Sequence, residues 1–389
     1  MIPFLIEHFY DWLAAHHLGA FRVFLSAPFR AMLCIPLGFF ICIAIGPRYI
    51  NWLVRQKIGD QPNFDQADLN DLMAQKRNTP TMGGVLIIGS IVGSILLMAD
   101  LRNFYVLMGL VCVVYLGALG GVDDWLKLTK HRRGDAKDRQ GLKSSEKLIF
   151  QLGLGLMLGV FTFLHGQHVE SNHTLYFPFL KDFGIPLGMT AFVILATIVL
   201  TGSSNAVNLT DGLDGLAAGC MAVVSFTFFI LAVIVGTETI EIRDQPAASG
   251  LLLAHVVGAE EMAVIAAALA GACMGFLWFN CFPAKVFMGD TGSLALGGLI
   301  GYVSIVIRQE LILFLVGGVF VMEAISVLTQ VGYFKYTKRK YGEGRRVFLR
   351  APIHHHFQMK GWAEPKVVVR FWLITAMLAA MALATVKLR

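Results

Sequence analysis

Long apolar runs alternate along this chain with short polar islands. Ten of the runs approach the length of about 20 residues that a helix needs to cross a bilayer. They centre near Phe39, Ile91, Val111, Leu156, Ile194, Phe228, Ala270, Gly298, Val319 and Ala376. The pattern predicts an all-α, polytopic membrane protein with about ten transmembrane helices, forming a single integral-membrane unit over residues 1–389. Arg30 and Pro36 blur the start of the first run, and the eighth is short and rich in glycine. No fixed-period repeat is present. Gln167 to Pro186 reads as a small hairpin, and Glu238 to Glu261 as holding a short interfacial helix.

Five islands carry the chemistry. They are Lys76 to Gly84, Gly121 to Lys127, Asn205 to Gly215, Phe287 to Ser293, and Pro352 to Phe357. Counting crossings between them puts all five on one face. Ionisable groups at the edge of hydrocarbon are costly and are retained for function. Five such groups on one face predict a single active site.

Composition agrees with the pattern. The chain is 56% hydrophobic and 15% charged, with a mean hydropathy of +0.66, against about 25% charged residues in a soluble domain. The net charge of +6 is unevenly placed. Basic residues cluster at Lys127 to Lys147 and Lys335 to Lys366, and are sparse in the alternate loops. By the positive-inside rule, loops at about 55–81, 123–148, 203–213, 280–291 and 334–366 are cytoplasmic, and both termini are extracytoplasmic. Lys387 and Arg389 run weakly against this orientation. The six cysteines, in or beside apolar runs and without a Cys-x-x-Cys pair, read as small buried hydrophobes. Glu7 and Asp11 stand where a signal peptide would be basic.

Asp123 and Asp124 are expected at the C-terminal end of the third span. That is the negative end of the helix dipole, so Lys127 and a divalent metal would have to offset them; a solvated interfacial pair is the plainer alternative. Asn205, Asn208, Asp211 and Asp214 recur every three residues beside Gly212 and Gly215. This predicts a helix end, a turn and a new helix, with amides and carboxylates in one concave spot. A calcium loop is excluded, because the twelfth position counted from Asn208 is Gly219 rather than Glu. Asp290 precedes a glycine-rich span. It reads either as an ordinary N-cap or as a Mg²⁺ carboxylate beside phosphate-binding amides, with Phe287 able to stack a flat base. Three consecutive histidines, His354 to His356, cannot all ligate one ion on an unstrained backbone; imidazoles binding phosphate fit better. Lys76, Lys127, Lys143, Lys147, Arg345 and Arg346 add cations to the same face. Together these groups suggest phosphoryl transfer from a nucleotide-diphosphate donor to a lipid. A transporter of anions, the rival from another class, would place its charges near mid-membrane.

Thr79-Pro80-Thr81-Met82-Gly83-Gly84, Asn205 to Ala217, Pro352 to Phe357 and the ending Gly361-Trp362-Ala363-Glu364-Pro365-Lys366 closely resemble motifs of the phospho-N-acetylmuramoyl-pentapeptide transferases. These belong to the polyprenyl-phosphate N-acetylhexosamine-1-phosphate transferases, and the resemblance runs from about Arg55 to Arg389. It implies transfer of phospho-MurNAc-pentapeptide from UDP-MurNAc-pentapeptide to undecaprenyl phosphate, giving lipid I and UMP, the first membrane step of peptidoglycan synthesis. It also implies Mg²⁺ dependence, ten crossings of the cytoplasmic membrane and a homodimer. Asp123, Asp124 and Asp290 would be the catalytic acids, with Asp290 the Mg²⁺ ligand. Lys76, Lys127, Lys147, Asn208, Asp211, Asp214, Asn280, Phe287, His354, His355 and His356 would line the nucleotide and diphosphate site. The histidine triplet favours this branch over a UDP-GlcNAc:polyprenyl-phosphate GlcNAc-1-phosphate transferase. Asn78 and Gln358 depart from the family pattern, and the stretches from His131 to Gln140 and Tyr336 to Arg346 are longer than usual.

Overall fold

The computed structural model describes residues 1–56, 79–133, 141–178, 180, 183–236, 241–242, 245–246 and 255–385. Short helices α1 (Ile2–His8) and α2 (Tyr10–Ala15) lead into α3 (Ala27–Arg55), α4 (Gly84–Met98), α5 (Phe104–Arg133) and α6 (Ser144–Gly166). A hairpin follows, β1 (Thr174–Tyr176) antiparallel to β2 (Gly184–Pro186), as expected for Gln167 to Pro186. Then come α7 (Met189–Thr210), α8 (Leu216–Gly236), the two-residue strands β3 (Glu241–Ile242) and β4 (Gln245–Pro246), and α9 (Met262–Asn280). The chain ends with α10 (Gly289–Val306), α11 (Glu310–Val316), α12 (Gly318–Tyr341), α13 (Ile353–Met359) and α14 (Glu364–Thr385). The helix expected between Glu238 and Glu261 falls largely outside the described residues.

All ten predicted centres lie in helices. Seven helices are long and apolar enough to cross a membrane, or eight if α11 and α12, bent by 81° at Gly317, form one broken span. Helix α4, at 15 residues, is shorter. Arg30, which blurs the first apolar run, lies inside α3. Its guanidinium is buried against the Glu261 carboxylate and donates to Met98 O at 2.7 Å, so the charge interrupts the pattern without interrupting the helix.

Two helices form the centre. Every residue from Met262 to Cys273 in α9 and from Thr291 to Val306 in α10 is buried, as expected for helices apolar on all sides. Helix α9 packs against α3 and α8, and α10 against α5 and α7. Small residues set these approaches: a Cβ at Gly271 or Gly275 would press on the α3 backbone at Ile35 or Phe39, and one at Gly297 on α7 at Ser203. Such spacing of small residues lets helix backbones come close.

Candidate active site

The N-terminal end of α10 organises the site. Asp124 of α5 accepts hydrogen bonds there from Asp290 N (3.2 Å), Thr291 N (2.9 Å) and Thr291 Oγ1 (2.6 Å). Unpaired amides and the positive end of the helix dipole stabilise an anion at this position. Two expectations are corrected here. Helix α5 runs on through Trp125-Leu126-Lys127 to Arg133, so the aspartates are not at its C-terminal end. Asp290 is not the N-cap of α10; Asp124, from another helix, does the capping.

That capping leaves Asp290 to face outward. Its Oδ2 meets Lys127 Nζ at 3.1 Å and Lys147 Nζ at 2.8 Å. Its Oδ1 accepts from Asn208 Nδ2 at 2.8 Å, and Asn208 also reaches Ser293 Oγ at 2.8 Å. Asp123 shares the same two ammoniums, with Lys127 at 2.7 Å and Lys147 at 3.0 Å, and accepts from Leu142 N at 2.7 Å. Lys127 therefore pairs directly with Asp123 and Asp290, and its charge also favours the ionised form of Asp124. One oxygen from each of Asp123, Asp124 and Asp290 lies within 4.8 Å of the others. Asp290 keeps 16% of its side chain exposed, whereas Asp123 keeps none, so Asp290 is the more open of these two carboxylates.

The remaining islands close around this cluster. Main-chain bonds from Phe287 N to Pro80 O, Gly83 N to Phe287 O and Gly84 N to Met288 O, each 2.8 Å, join the first island to the fourth. Asp211 ends α7, and Gly215, at φ +79°, turns the chain into α8, the predicted helix–turn–helix. Asp214 accepts from Ala284 N at 3.0 Å, and Asn280 links Gly215 N to Val286 O. These two buried residues therefore hold loop backbone. Asn205 turns away, donating to Gln151 Oε1 and Thr201 O inside the helix packing.

The histidines form the first turn of α13. His354 is wholly buried, with Nδ1 at 3.1 Å from Glu323 Oε1 of α12, and its ring packs against Gly212. His355 Nδ1 meets Gln358 Oε1 at 2.8 Å, and His356 Nδ1 accepts from Leu349 N at 3.1 Å. The triplet thus packs as a short helix, with only part of it facing outward. Lys76 lies outside the described residues.

Sequence reasoning missed Thr291 and Ser293, which sit inside a recognised island, and Glu364, whose Oε1 accepts from Asp214 N at 2.8 Å. It also missed Glu323. The signal available for it was a lone acid within an apolar run.

Asp211 is half-buried. Burial, then the charges of Asp290 and Asp124, pushes its carboxyl up to about 7 from the ordinary 3.8, against a Gly289 backbone hydrogen bond. The folded chain therefore holds this proton where the unfolded chain has lost it. Stability is fullest below the unfolded value and falls as pH rises from about 4 to about 7. Asp211→Asn should flatten that fall in thermal melts of the metal-free protein. Identical pH profiles for variant and wild type would contradict the assignment.

Comparison with known proteins gives concordant matches. A family model described as glycosyl transferase family 4 matches residues 106–308. The phospho-N-acetylmuramoyl-pentapeptide-transferase signature 1 matches residues 76–88. The phospho-N-acetylmuramoyl-pentapeptide-transferase of Desulfotalea psychrophila is 42% identical over 383 residues, covering 98% of this chain and 100% of that protein.

Proposed function

Because this chain belongs to glycosyl transferase family 4 and, within it, to the phospho-N-acetylmuramoyl-pentapeptide transferases, we propose that its carboxylate cluster catalyses the transfer of phospho-MurNAc-pentapeptide to a lipid carrier in peptidoglycan synthesis. The donor in this reading is UDP-MurNAc-pentapeptide and the carrier undecaprenyl phosphate, so the products are lipid I and UMP. The observation that carries the reading is the set of Asp123, Asp124 and Asp290 held against Lys127, Lys147 and Asn208 at the start of α10.

The donor set fits a divalent ion, because Mg²⁺ takes one or two carboxylates together with phosphates and water. Asp290 would hold it, with Asp123 beside it, while both oxygens of Asp124 are engaged by α10. When bound, Mg²⁺ supplies positive charge to the diphosphate and to the departing UMP.

The chain's own groups do the positioning. Lys127 and Lys147 present ammoniums where the diphosphate charge sits, and Lys76 adds a third cation. Phe287 stacks the uracil ring, its main chain fixed on both sides by Pro80 and Gly83. Asp211, Asp214, Asn280 and the histidine triplet shape the nucleotide side of the site. An oxygen of the lipid phosphate then attacks the β-phosphorus in line, forming one P–O bond as the bond to UMP breaks. Asp123 mainly positions in this step. Its oxygens already accept from two ammoniums and Leu142 N, and a phosphate monoester with a second pKa of about 6 is already mostly ionised at neutral pH.

Basic loops support a site on the cytoplasmic face; in this reading the chain crosses the inner membrane ten times, with both termini outside. The working unit is a homodimer in this reading. Purified protein should form UMP and lipid product from undecaprenyl phosphate with UDP-MurNAc-pentapeptide, and far less with UDP-GlcNAc. The reverse preference would replace the muramoyl donor with the N-acetylglucosamine one.

A further inference from the structure

Glu323 and His354 form a buried pair that the reaction described above does not use. Both side chains are 0% exposed, and Nδ1 of His354 lies 3.1 Å from Oε1 of Glu323. Nδ1 and Oε1 approach closely without meeting hydrogen-bond geometry, and neither the Glu323 carboxylate nor the His354 ring nitrogens have a hydrogen-bond partner among the described residues. Glu323 sits in the second turn of α12, just past the 81° bend at Gly317. An acid in such a segment is costly and is retained for a role, and a buried charge missing its partner is strongly destabilising.

The ring lies against Gly212, where a Cβ would overlap Nε2. Gly212 belongs to the turn between α7 and α8 that carries Asp211 and Asp214. The far side of that turn is held by Glu364, whose carboxylate accepts from Asp214 N, and by Trp372, whose Nε1 donates to Gly215 O at 3.2 Å. One short turn is thus clasped by α13 and α14, and the α13 contact rests on a carboxylate from α12.

We propose that Glu323 is a positioning residue: its carboxylate accepts the Nδ1 proton of His354 and fixes that ring against Gly212, setting the turn that presents Asp211 and Asp214 to the nucleotide donor. This rests on the donor reading given above. It makes His354 a fixed strut with a defined proton position, distinct from an imidazole free to bind phosphate.

The test is ¹⁵N NMR of histidine-labelled full-length protein in lipid nanodiscs, with His354 assigned by difference from His354→Gln. Nδ1 should be protonated. In kinetics, Glu323→Leu should raise KM for UDP-MurNAc-pentapeptide about tenfold or more, by analogy with the loss of a group that orients a metal-ligating histidine, with a smaller change in kcat. Glu323→Gln, which can still accept from Nδ1, should recover most of the loss. An unprotonated Nδ1 in the wild type, or wild-type KM in folded Glu323→Leu, overturns the proposal. If Glu323→Leu does not fold, the wild-type spectrum and Glu323→Gln decide. A wild-type protein that fails to use UDP-MurNAc-pentapeptide refutes the donor reading instead, and the spectrum still tests the pair.

Discussion

Asp290→Asn should fold normally and lose at least about a thousandfold in turnover, the scale of removing a group that acts on transition-state charge. Folding should survive because the side chain is partly exposed at the start of α10, where Asp124 rather than Asp290 holds the helix amides. Activity should not, because Asp290 is the carboxylate on which Lys127, Lys147 and Asn208 converge. Binding of Mg²⁺, followed by thermal stabilisation of the purified protein, should weaken in parallel. A folded variant with near-normal activity at ordinary Mg²⁺ would remove Asp290 from the reaction.

Gly120→Ala should cost about a hundredfold in activity, the scale of a displacement of about 1 Å at a reacting centre. Gly120 of α5 packs directly on the Asp290 backbone, and its Cβ would overlap Asp290 O. Backbone cannot yield as a flexible side chain can, so the first turn of α10 must move, and with it the Asp124 cap. Gly121→Ala is the control. Its Cβ would meet Thr291 Oγ1 at 3.7 Å, an ordinary contact, and activity should be retained. Equal effects at the two positions would contradict this account of how α5 sets α10. The readout is kcat and KM, with size-exclusion profiles to establish folding.

The sequence made the helices and the grouping of the five islands legible, because hydrophobic run length and the sites of charge are local properties. The turn from Asp211 to Gly215 was legible for the same reason: its glycines and Asx residues announce it. Which group caps α10 was not. The capping partner, Asp124, lies far away in the chain, and its role follows from helix packing at Gly120 and Gly84 rather than from its neighbours. Asp123 and Asp124 were placed at the wrong helix position for a related reason, since α5 continues into a polar segment that the apolar pattern does not mark. The histidine triplet suggested imidazoles binding phosphate; burial of His354 became visible only once Glu323 was brought to it from α12.

The central claim is a single direct displacement at the carboxylate cluster. Stoichiometric enzyme is mixed with labelled UDP-MurNAc-pentapeptide, rigorously free of polyprenyl phosphate, and UMP release is followed before and after undecaprenyl phosphate is added. The account predicts no UMP without the lipid and prompt release with it, with no label on the protein at any time. A stoichiometric burst of UMP before lipid is added, with phospho-sugar bound to Asp123 or Asp124, would contradict it.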